Sequence, residues 1–373
     1  MSATASDISW MSRALELARR GQYTVSPNPA VGCVLVTGDT VVGEGWHQRA
    51  GGPHAEIHAL NAAGKMAHGA TAYVTLEPCS HHGKTGPCAD ALIAAGVARV
   101  VYGCEDPNPQ VAGNGLAKLK TAGVEVAGPV LESEALRVIR GFRQRMRHAR
   151  PWVTIKMAMS LDARVAMASG QSQWITAPAA RQDVQRLRAA SCAIVTGSGT
   201  ALFDDPSLTV RLNSDELGIE GPVRQPLRVV IDSSLRLPEA ARVLQAEGPV
   251  LVFGTVDAAQ ADIARLQSAG AEVALVPARE GKVDLAVVLA RLAERGCNQV
   301  LVEAGSALAG AFVAEALFDE LVIYLAPKLF GETARPLFKL PIETIDAHLA
   351  LTIEDIRKVG EDWRISATPE TDY

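Results

Sequence analysis

Pro53-His54-Ala55-Glu56, followed by Thr75-Leu76-Glu77-Pro78-Cys79 and by Pro87-Cys88, carries the strongest chemical signal in the chain. One imidazole and two thiolates, His54, Cys79 and Cys88, make a three-ligand zinc set that leaves the fourth tetrahedral position to water. Zinc lowers the pKa of such a water to about 7. Glu56 stands two residues beyond His54, at the predicted start of a helix, where its carboxylate sits beside the open position and shuttles protons without binding metal. Cys88 is expected at a helix N-terminus, where the dipole favours thiolate. A structural zinc site closed by His81 or His82 would use the same donors, but it gives no reason for Glu56.

Around this set, helical and strand patterns alternate. Ile8–Arg20 carries a helical apolar stripe with Ser6, Asp7 or Ser9 as caps, and Val31–Val36 pairs with Val41–Glu44 around Gly38-Asp39. Helices are predicted over His54–Ala63, Cys88–Ala95, Gly115–Ala122 and Glu132–Arg147, and strands over Ala72–Leu76, Arg99–Tyr102 and Val124–Ala127. The result is a three-layer α/β/α domain over residues 1–149. Arg140, Arg143, Arg145, Arg147 and Arg150 read as a solvated face complementing a helix C-terminus, with a phosphate-binding stripe as the alternative.

Residues 150–373 form a second α/β domain. Strands are expected at Trp152–Ile155, Ala193–Thr196, Leu227–Ile231, Val250–Phe253, Glu272–Val276 and Gln299–Val302, with Leu321–Leu325 and Trp363–Ser366 finishing the sheet. Thr176 is predicted to cap a helix with Pro178 in its first turn, and Asp284–Arg295 forms another. No G-x-G-x-x-G or P-loop occurs. Gly197-Ser198-Gly199-Thr200 and Gly305 to Gly310 instead place small residues at strand-to-helix turns, where backbone N–H groups approach a pyrophosphate; tight turns alone would explain them too. Lys156 in an apolar strand, Asp204 before Asp205-Pro206, and Glu303 at a strand end stand out as polar residues, and Arg188 and Arg211 are candidate phosphate clamps; side chains turned to solvent and an Asp capping a turn would explain them equally.

The 373 residues carry 36 Lys plus Arg against 41 Asp plus Glu, a net charge of −5 that argues against a nucleic-acid-binding surface. No apolar run approaches the roughly 20 residues of a bilayer span, and no signal peptide is read at the N-terminus. Cys33, Cys104, Cys192 and Cys297 sit in settings typical of reduced core thiols, which favours the cytoplasm.

An H-x-E joined to a Pro-Cys pair and a second Cys is the pattern of zinc deaminases, in which water attacks an amidine-like ring carbon and ammonia leaves. Here eight residues, Ser80 to Pro87, separate the cysteines instead of two. An insert rich in His, Lys and Gly is suited to offering hydrogen bonds and charge to a phosphorylated substrate, with Lys84 as the candidate contact; a loop lysine that is simply solvated is the alternative. Together with Ser26-Pro27-Asn28-Pro29-Ala30-Val31-Gly32-Cys33-Val34, Gly45-Trp46-His47 and Ser80-His81-His82-Gly83-Lys84-Thr85, these motifs resemble the bifunctional deaminase/reductases of riboflavin biosynthesis. The resemblance implies a cytidine-deaminase-like fold and hydrolytic deamination of 2,5-diamino-6-(5-phosphoribosylamino)pyrimidin-4(3H)-one. It implies substrate contacts at Asn28, His47, His81 and Lys84.

The resemblance extends over Lys156-Met157-Ala158-Met159-Ser160-Leu161-Asp162, Ser172-Gln173-Trp174-Ile175-Thr176, Asp204 to Arg211 and Val302-Glu303-Ala304-Gly305. It implies a dihydrofolate-reductase-like fold and NADPH-dependent reduction of the ribosyl group of 5-amino-6-(5-phosphoribosylamino)uracil to ribityl. It puts the cofactor at Ala158, Trp174, Thr200, Asp204, Ser233, Gly305, Ser306, Ala307, Leu308, Ala309, Gly310 and Ala311. Substrate is implied at Ser172, Arg188, Leu208, Arg211 and Glu303, with Lys156, Asp204 and Glu303 as candidates for assisting hydride transfer. Ala163 departs from the glycine common after Ser-Leu-Asp, so a different local turn is expected there. The partners are then phosphorylated pyrimidines, with neither nucleic acid nor membrane, and a sheet edge in the second half suits a homo-oligomer. Two other readings stay open: a zinc deaminase of another nucleoside or a tRNA base, and a zinc-stabilised nucleotide-binding protein without activity. RNA binding would mark the first, tightly held metal without ammonia release the second.

Overall fold

A computed structural model describes residues 4–80, 86–109 and 111–370. The chain separates into two units between Arg150 and Pro151, Gly218–Glu220 excepted. The first contains α1 (Ala5–Arg20), β1 (Gly32–Thr37), β2 (Thr40–Trp46), α2 (Ala55–Ala63), β3 (Thr71–Leu76), α3 (Cys88–Ala94), β4 (Arg99–Cys104), α4 (Asn114–Thr121), β5 (Glu125–Ala127), α5 (Glu132–Val138) and α6 (Arg140–His148). Its sheet runs β2-β1-β3-β4-β5, with β1 antiparallel to both neighbours and β3, β4 and β5 parallel.

Alternation along β1 supplies both faces of this sheet. Cys33 and Leu35 pack with Ala55, Ala59, Leu92 and Leu119 of α2, α3 and α4, while Val34 and Val36 pack with Met11, Leu15 and Ile139. The α/β/α layering is as expected. Two glycines bring α2 onto the sheet: a Cβ at Gly43 would meet the Ala59 carbonyl at 2.3 Å, and one at Gly45 the Ala55 carbonyl at 2.4 Å. That approach fixes where the helix begins, with His54 as its N-cap.

Two local expectations are corrected. The cap of α1 is Thr4, whose Oγ1 accepts from Asp7 N while Asp7 Oδ2 accepts from Thr4 N, a capping box with Asp in the Glu position. The helix predicted over Glu132–Arg147 is two helices broken at Ile139, where β-branched Val138 and Ile139 adjoin and Ile139 is buried in the core.

Asp7 also receives Arg99 Nη1 at 2.7 Å, Arg99 Nη2 at 3.2 Å and the Tyr73 hydroxyl at 3.0 Å. The Arg99 guanidinium holds its carboxyl far below the usual range. A depressed carboxylate contributes stability above its unfolded pKa, about 3.9, and loses that contribution as pH falls through the native value. Asp7→Asn, which leaves Arg99 without its partner, is expected to cost about 3 kcal/mol at pH 7. In urea titrations the gap between wild type and variant should narrow below about pH 4.

The second unit contains β6 (Trp152–Ser160), β7 (Arg164–Ala166), α7 (Pro178–Ala190), β8 (Ala193–Gly197), α8 (Ser198–Asp204), α9 (Ser214–Leu217), β9 (Leu227–Ile231), α10 (Arg242–Gln245), β10 (Val250–Thr255) and α11 (Gln260–Ser268). It continues with β11 (Glu272–Val276), β12 (Ala278–Arg279), β13 (Lys282–Val283), α12 (Leu285–Glu294), β14 (Gln299–Val302), α13 (Ser306–Ala314), β15 (Glu320–Ala326), β16 (Arg335–Pro336), β17 (Leu351–Val359) and β18 (Asp362–Pro369). The main sheet has the order β11-β10-β9-β8-β14-β6-β15-β18-β17, parallel from β11 to β15 and antiparallel beyond. Ala193 and Val195 of β8 face the cluster built with α12 and α13, and Ile194 faces the cluster containing α11.

The sheet does not finish with the strands expected: β17 forms its edge. Its charged and apolar residues leave nearly the whole strand exposed, so no buried pattern announces it. The helix predicted to be capped by Thr176 has Ala177 as its N-cap. Pro178 takes the first helical position, and the Ala177 N–H donates to Asp362 Oδ2 at 2.7 Å. Ala163 overturns the expectation of a different turn, because it adopts φ 57°, the region glycine favours. Asp162 holds the turn by accepting from Ser160 Oγ at 2.5 Å, Phe330 N at 3.1 Å and Gly331 N at 2.8 Å. Ala163→Gly is therefore expected to stabilise the second unit by about 1 kcal/mol, read as a higher urea midpoint.

Candidate active sites

In the first unit, His54 at the start of α2, Cys79 after β3 and Cys88 at the first position of α3 converge. His54 Nδ1 lies 3.2 Å from Cys88 Sγ and 3.6 Å from Cys79 Sγ, and all three donor atoms fall within 4.8 Å of one another. Tetrahedral bonds of about 2.0–2.3 Å put donors about 3.6 Å apart, so one nitrogen and two sulfurs fit zinc in chemistry and in spacing. The Cys79 thiol is pulled well below its ordinary value, first by its hydrogen bond with Cys88 and then by His54 and the Cys88 N–H. A low thiol pKa favours the metal-binding thiolate.

Glu56, in the first turn of α2, is 3% exposed and stays outside the three-donor cluster. Burial pushes its carboxyl up to about 6, against the pull of His54. A carboxyl poised near neutrality both takes and returns a proton.

A cavity of about 220 Å³ opens onto these residues, with Asn28, His47, His54, Glu56 and Cys79 in its wall. His47 Nδ1 donates to the Pro53 carbonyl at 2.9 Å, which leaves Nε2 to accept from Asn28 Nδ2 at 3.1 Å. Burial lowers the His47 pKa, consistent with this neutral ring. The same wall holds Glu77, Asp106, Asn108, Val111 and Phe142, which motif reading passed over. Glu77 accepts from the N–H groups of Asp106, Gly113, Gly115 and Leu116 at 2.9–3.3 Å, and so pins the loop after β4 under the cavity. Its position directly before Pro78-Cys79 was the available signal. His81 and Lys84 lie outside the described residues.

The second unit carries a cleft of about 1460 Å³ along the carboxyl ends of its parallel strands. Such ends are where open α/β sheets bind ligands. Lys156, Ala158, Ser172, Trp174, Arg188, Thr200, Asp204, Leu208, Ser233 and Glu303 line it, as do Gly305 to Leu308, Gly310 and Ala311. Ala309 points into the core at 0% exposure, and Arg211 lies on the exposed surface outside the lining. The two small-residue turns meet, because Gly305 N donates to Thr200 Oγ1 at 3.0 Å.

Arg188 grips Glu303 with Nε at 2.6 Å and Nη2 at 3.0 Å, and its Nη1 donates to the Thr209 carbonyl at 3.0 Å. Burial opposes ionisation of Glu303, but Arg188 and Lys156 outweigh it and lower its pKa. Burial lowers the Lys156 pKa, with Glu303 opposing. Ser172 Oγ donates to Asp204 Oδ1 at 2.7 Å. Arg181 lies 4.7 Å over the Trp174 ring, and Lys328 Nζ donates to the Trp174 and Ile175 carbonyls; these supports had no sequence signal.

Residues 4–104 match the family described as the cytidine and deoxycytidylate deaminase zinc-binding region, and residues 151–365 match the RibD C-terminal domain. Riboflavin biosynthesis protein RibD of Escherichia coli (strain K12) is 51% identical over 95% of this chain and 96% of its own length. The RibD of Haemophilus influenzae is 45% identical over 98% of each. Among solved structures, Acinetobacter baumannii RibD superposes with a TM-score of 0.89 at 42% identity, covering 98% of this chain and 99% of that one. A diaminohydroxyphosphoribosylaminopyrimidine deaminase/5-amino-6-(5-phosphoribosylamino)uracil reductase from Thermotoga maritima gives 0.85 at 34%, covering 97% and 98%.

Proposed function

This chain belongs to the RibD family of riboflavin-biosynthesis proteins, and on that premise we propose which of its residues carry each reaction. It is a bifunctional enzyme, a zinc-dependent deaminase joined to an NADPH-dependent reductase. The first reaction removes the amino group from the pyrimidine of 2,5-diamino-6-(5-phosphoribosylamino)pyrimidin-4(3H)-one; the second reduces the ribosyl group of the product to ribityl.

Residues 1–149 make the deaminase and 150–373 the reductase. His54, Cys79 and Cys88 would hold zinc, which when bound supplies Lewis acidity that makes water a nucleophile near neutral pH. Glu56 takes the proton from the attacking water and delivers it to the departing amino group, which leaves as ammonia. Neutral His47, fixed by Pro53, and Asn28 present a polar edge to the nucleotide; His81 and Lys84, outside the described residues, are assigned to the substrate by the family resemblance alone. The observation that carries this half is a buried Glu56 beside, but not within, a three-donor cluster.

In the reductase, NADPH supplies the hydride when bound. Lys156 and Glu303 orient the opened ribose, Arg188 keeps Glu303 ionised and Arg211 adds positive charge nearby. Asp204, held by Ser172, faces the same cleft. Ala158, Trp174, Thr200, Ser233 and the stretch 305–311 form the cofactor side, with Ala309 acting through packing. Ser172 and Leu208 complete the substrate side.

Small-molecule substrates are consistent with this enzyme, and we assign phosphorylated pyrimidines, with no nucleic acid and no membrane. Among the described residues no helix is long and apolar enough to cross a membrane, and the proposed cytoplasmic placement rests on the core thiols Cys33, Cys104, Cys192 and Cys297, none of them in a disulfide. A homo-oligomer would use the reductase edge, where Ile353, Ile356 and Trp363 are exposed.

The residue assignments are tested by elemental analysis. Cys79→Ser and Cys88→Ser should each lose most of the zinc, while Asn28→Ala should keep zinc and lose substrate affinity. Full zinc in either Cys variant would overturn the ligand assignment.

A further inference from the structure

Glu77, next after the last residue of β3, is a buried carboxylate, and its hydrogen-bond partners among the described residues are all backbone N–H groups. Its Oε1 accepts from Gly115 N at 2.9 Å and Leu116 N at 3.3 Å. Its Oε2 accepts from Gly113 N at 3.0 Å and Asp106 N at 3.3 Å. A carboxylate offers about four lone-pair sites. Four donors occupy them, so Glu77 lines the deaminase cavity with no acceptor to spare for a ligand.

Three of the four donors belong to the start of α4. Asn114 is its first residue, and Gly113 at the N-cap has no side chain with which to accept a bond. The opening N–H groups of a helix need partners from outside it, and Glu77 supplies them from the end of β3. The fit is close. A Cβ at Gly115 would meet the Pro78 carbonyl at 1.9 Å, so the first turn of α4 lies against the turn that carries Cys79. The fourth donor, Asp106 N, lies at the start of the loop between β4 and α4. There Asn108 N donates to Asp106 Oδ1 at 2.8 Å, and Asp106, Asn108 and Val111 all belong to the cavity wall. One carboxylate thus holds both ends of that loop.

We propose that Glu77 is a positioning residue for deamination: it fixes the loop between β4 and α4 as the substrate-facing wall of the cavity, touching neither substrate nor metal. The inference rests on the reading of this cavity as the deaminase site. Glu77 acts through Asp106, Asn108 and Val111, so its loss is felt in substrate binding before it is felt in the chemistry at Glu56. Glu77→Gln isolates that action. The amide keeps the volume of the side chain, but its NH₂ faces two N–H donors that the lost oxygen served, and those buried groups are left without a partner. Glu77→Asp keeps both oxygens and stops one methylene short of the same N–H groups.

The test is steady-state ammonia release from the diaminopyrimidinone ribotide by the zinc-loaded full chain, with metal content measured on each preparation. Glu77→Gln should raise KM at least about tenfold while kcat stays within about threefold of wild type and zinc stays bound. Glu77→Asp should show the same split, and it carries the test if the Gln variant fails to fold. A residue that merely supports the fold would instead lower the active fraction, and kcat would drop at unchanged KM. That result, or wild-type values of both constants, would overturn the proposal. Zinc lost in step with rate in both variants would make Glu77 a support of the metal site and would overturn it too. No ammonia from wild type with zinc bound would overturn the reading of the cavity itself, and the inference with it.

Discussion

Glu56→Gln is expected to lower ammonia release by about 10²–10⁴-fold, the range over which a positioned general acid–base acts. Glutamine keeps the shape of the buried side chain but can neither take a proton from water nor return one to the leaving amine. The donor cluster of His54, Cys79 and Cys88 does not include Glu56, so zinc content should stay at wild-type level. Reduction of the already deaminated product should proceed normally, since Lys156 and its cleft belong to the other unit. The measurement is ammonia release and metal content on the same preparation, together with NADPH oxidation on the deaminated ribotide. Loss of zinc in step with loss of rate would make Glu56 structural; full turnover in the variant would remove it from the mechanism.

Lys156→Met is expected to lower NADPH oxidation by about 10²–10⁴-fold while ammonia release continues. The ammonium of Lys156 faces the cleft from an otherwise apolar strand, and burial lowers its pKa while Glu303 opposes that shift. A destabilised ammonium is a better proton donor to the ribosyl oxygen or imine as hydride arrives. The sign of the pH dependence follows. Reductase rate should fall as pH rises through a pKa below the ordinary lysine value of about 10.4, and Lys156→Met should erase that limb. A limb that survives in the variant would assign the proton to another group, with Asp204 next to be tested by Asp204→Asn.

What the amino acids revealed in advance follows from how local each signal is. The zinc donors and Glu56 were legible because metal chemistry demands particular residue types, and proline and helix starts mark their places. The buried strands were legible because Val, Ile and Leu runs between turn residues need both faces covered. Glu77 was not legible as an organiser, since its four N–H partners come from a loop almost 30 residues or more further on. The edge strand β17 escaped because a strand exposed on both faces has no burial pattern to show. Ala163 shows the limit of conformational preference: the bonds made by Asp162 hold a positive φ that alanine alone would avoid. Asn28 and His47 took on meaning only through resemblance, and the bond between them joins residues 19 apart in sequence.

The most direct test is a stepwise assay of the zinc-loaded chain on the diaminopyrimidinone ribotide, following ammonia first without NADPH and then NADPH absorbance after its addition. Stoichiometric ammonia in the first stage and an equal consumption of NADPH in the second are the predicted result. NADPH consumed without prior ammonia release, or no ammonia from protein with its zinc bound, would contradict the assignment of consecutive deaminase and reductase activities to this chain.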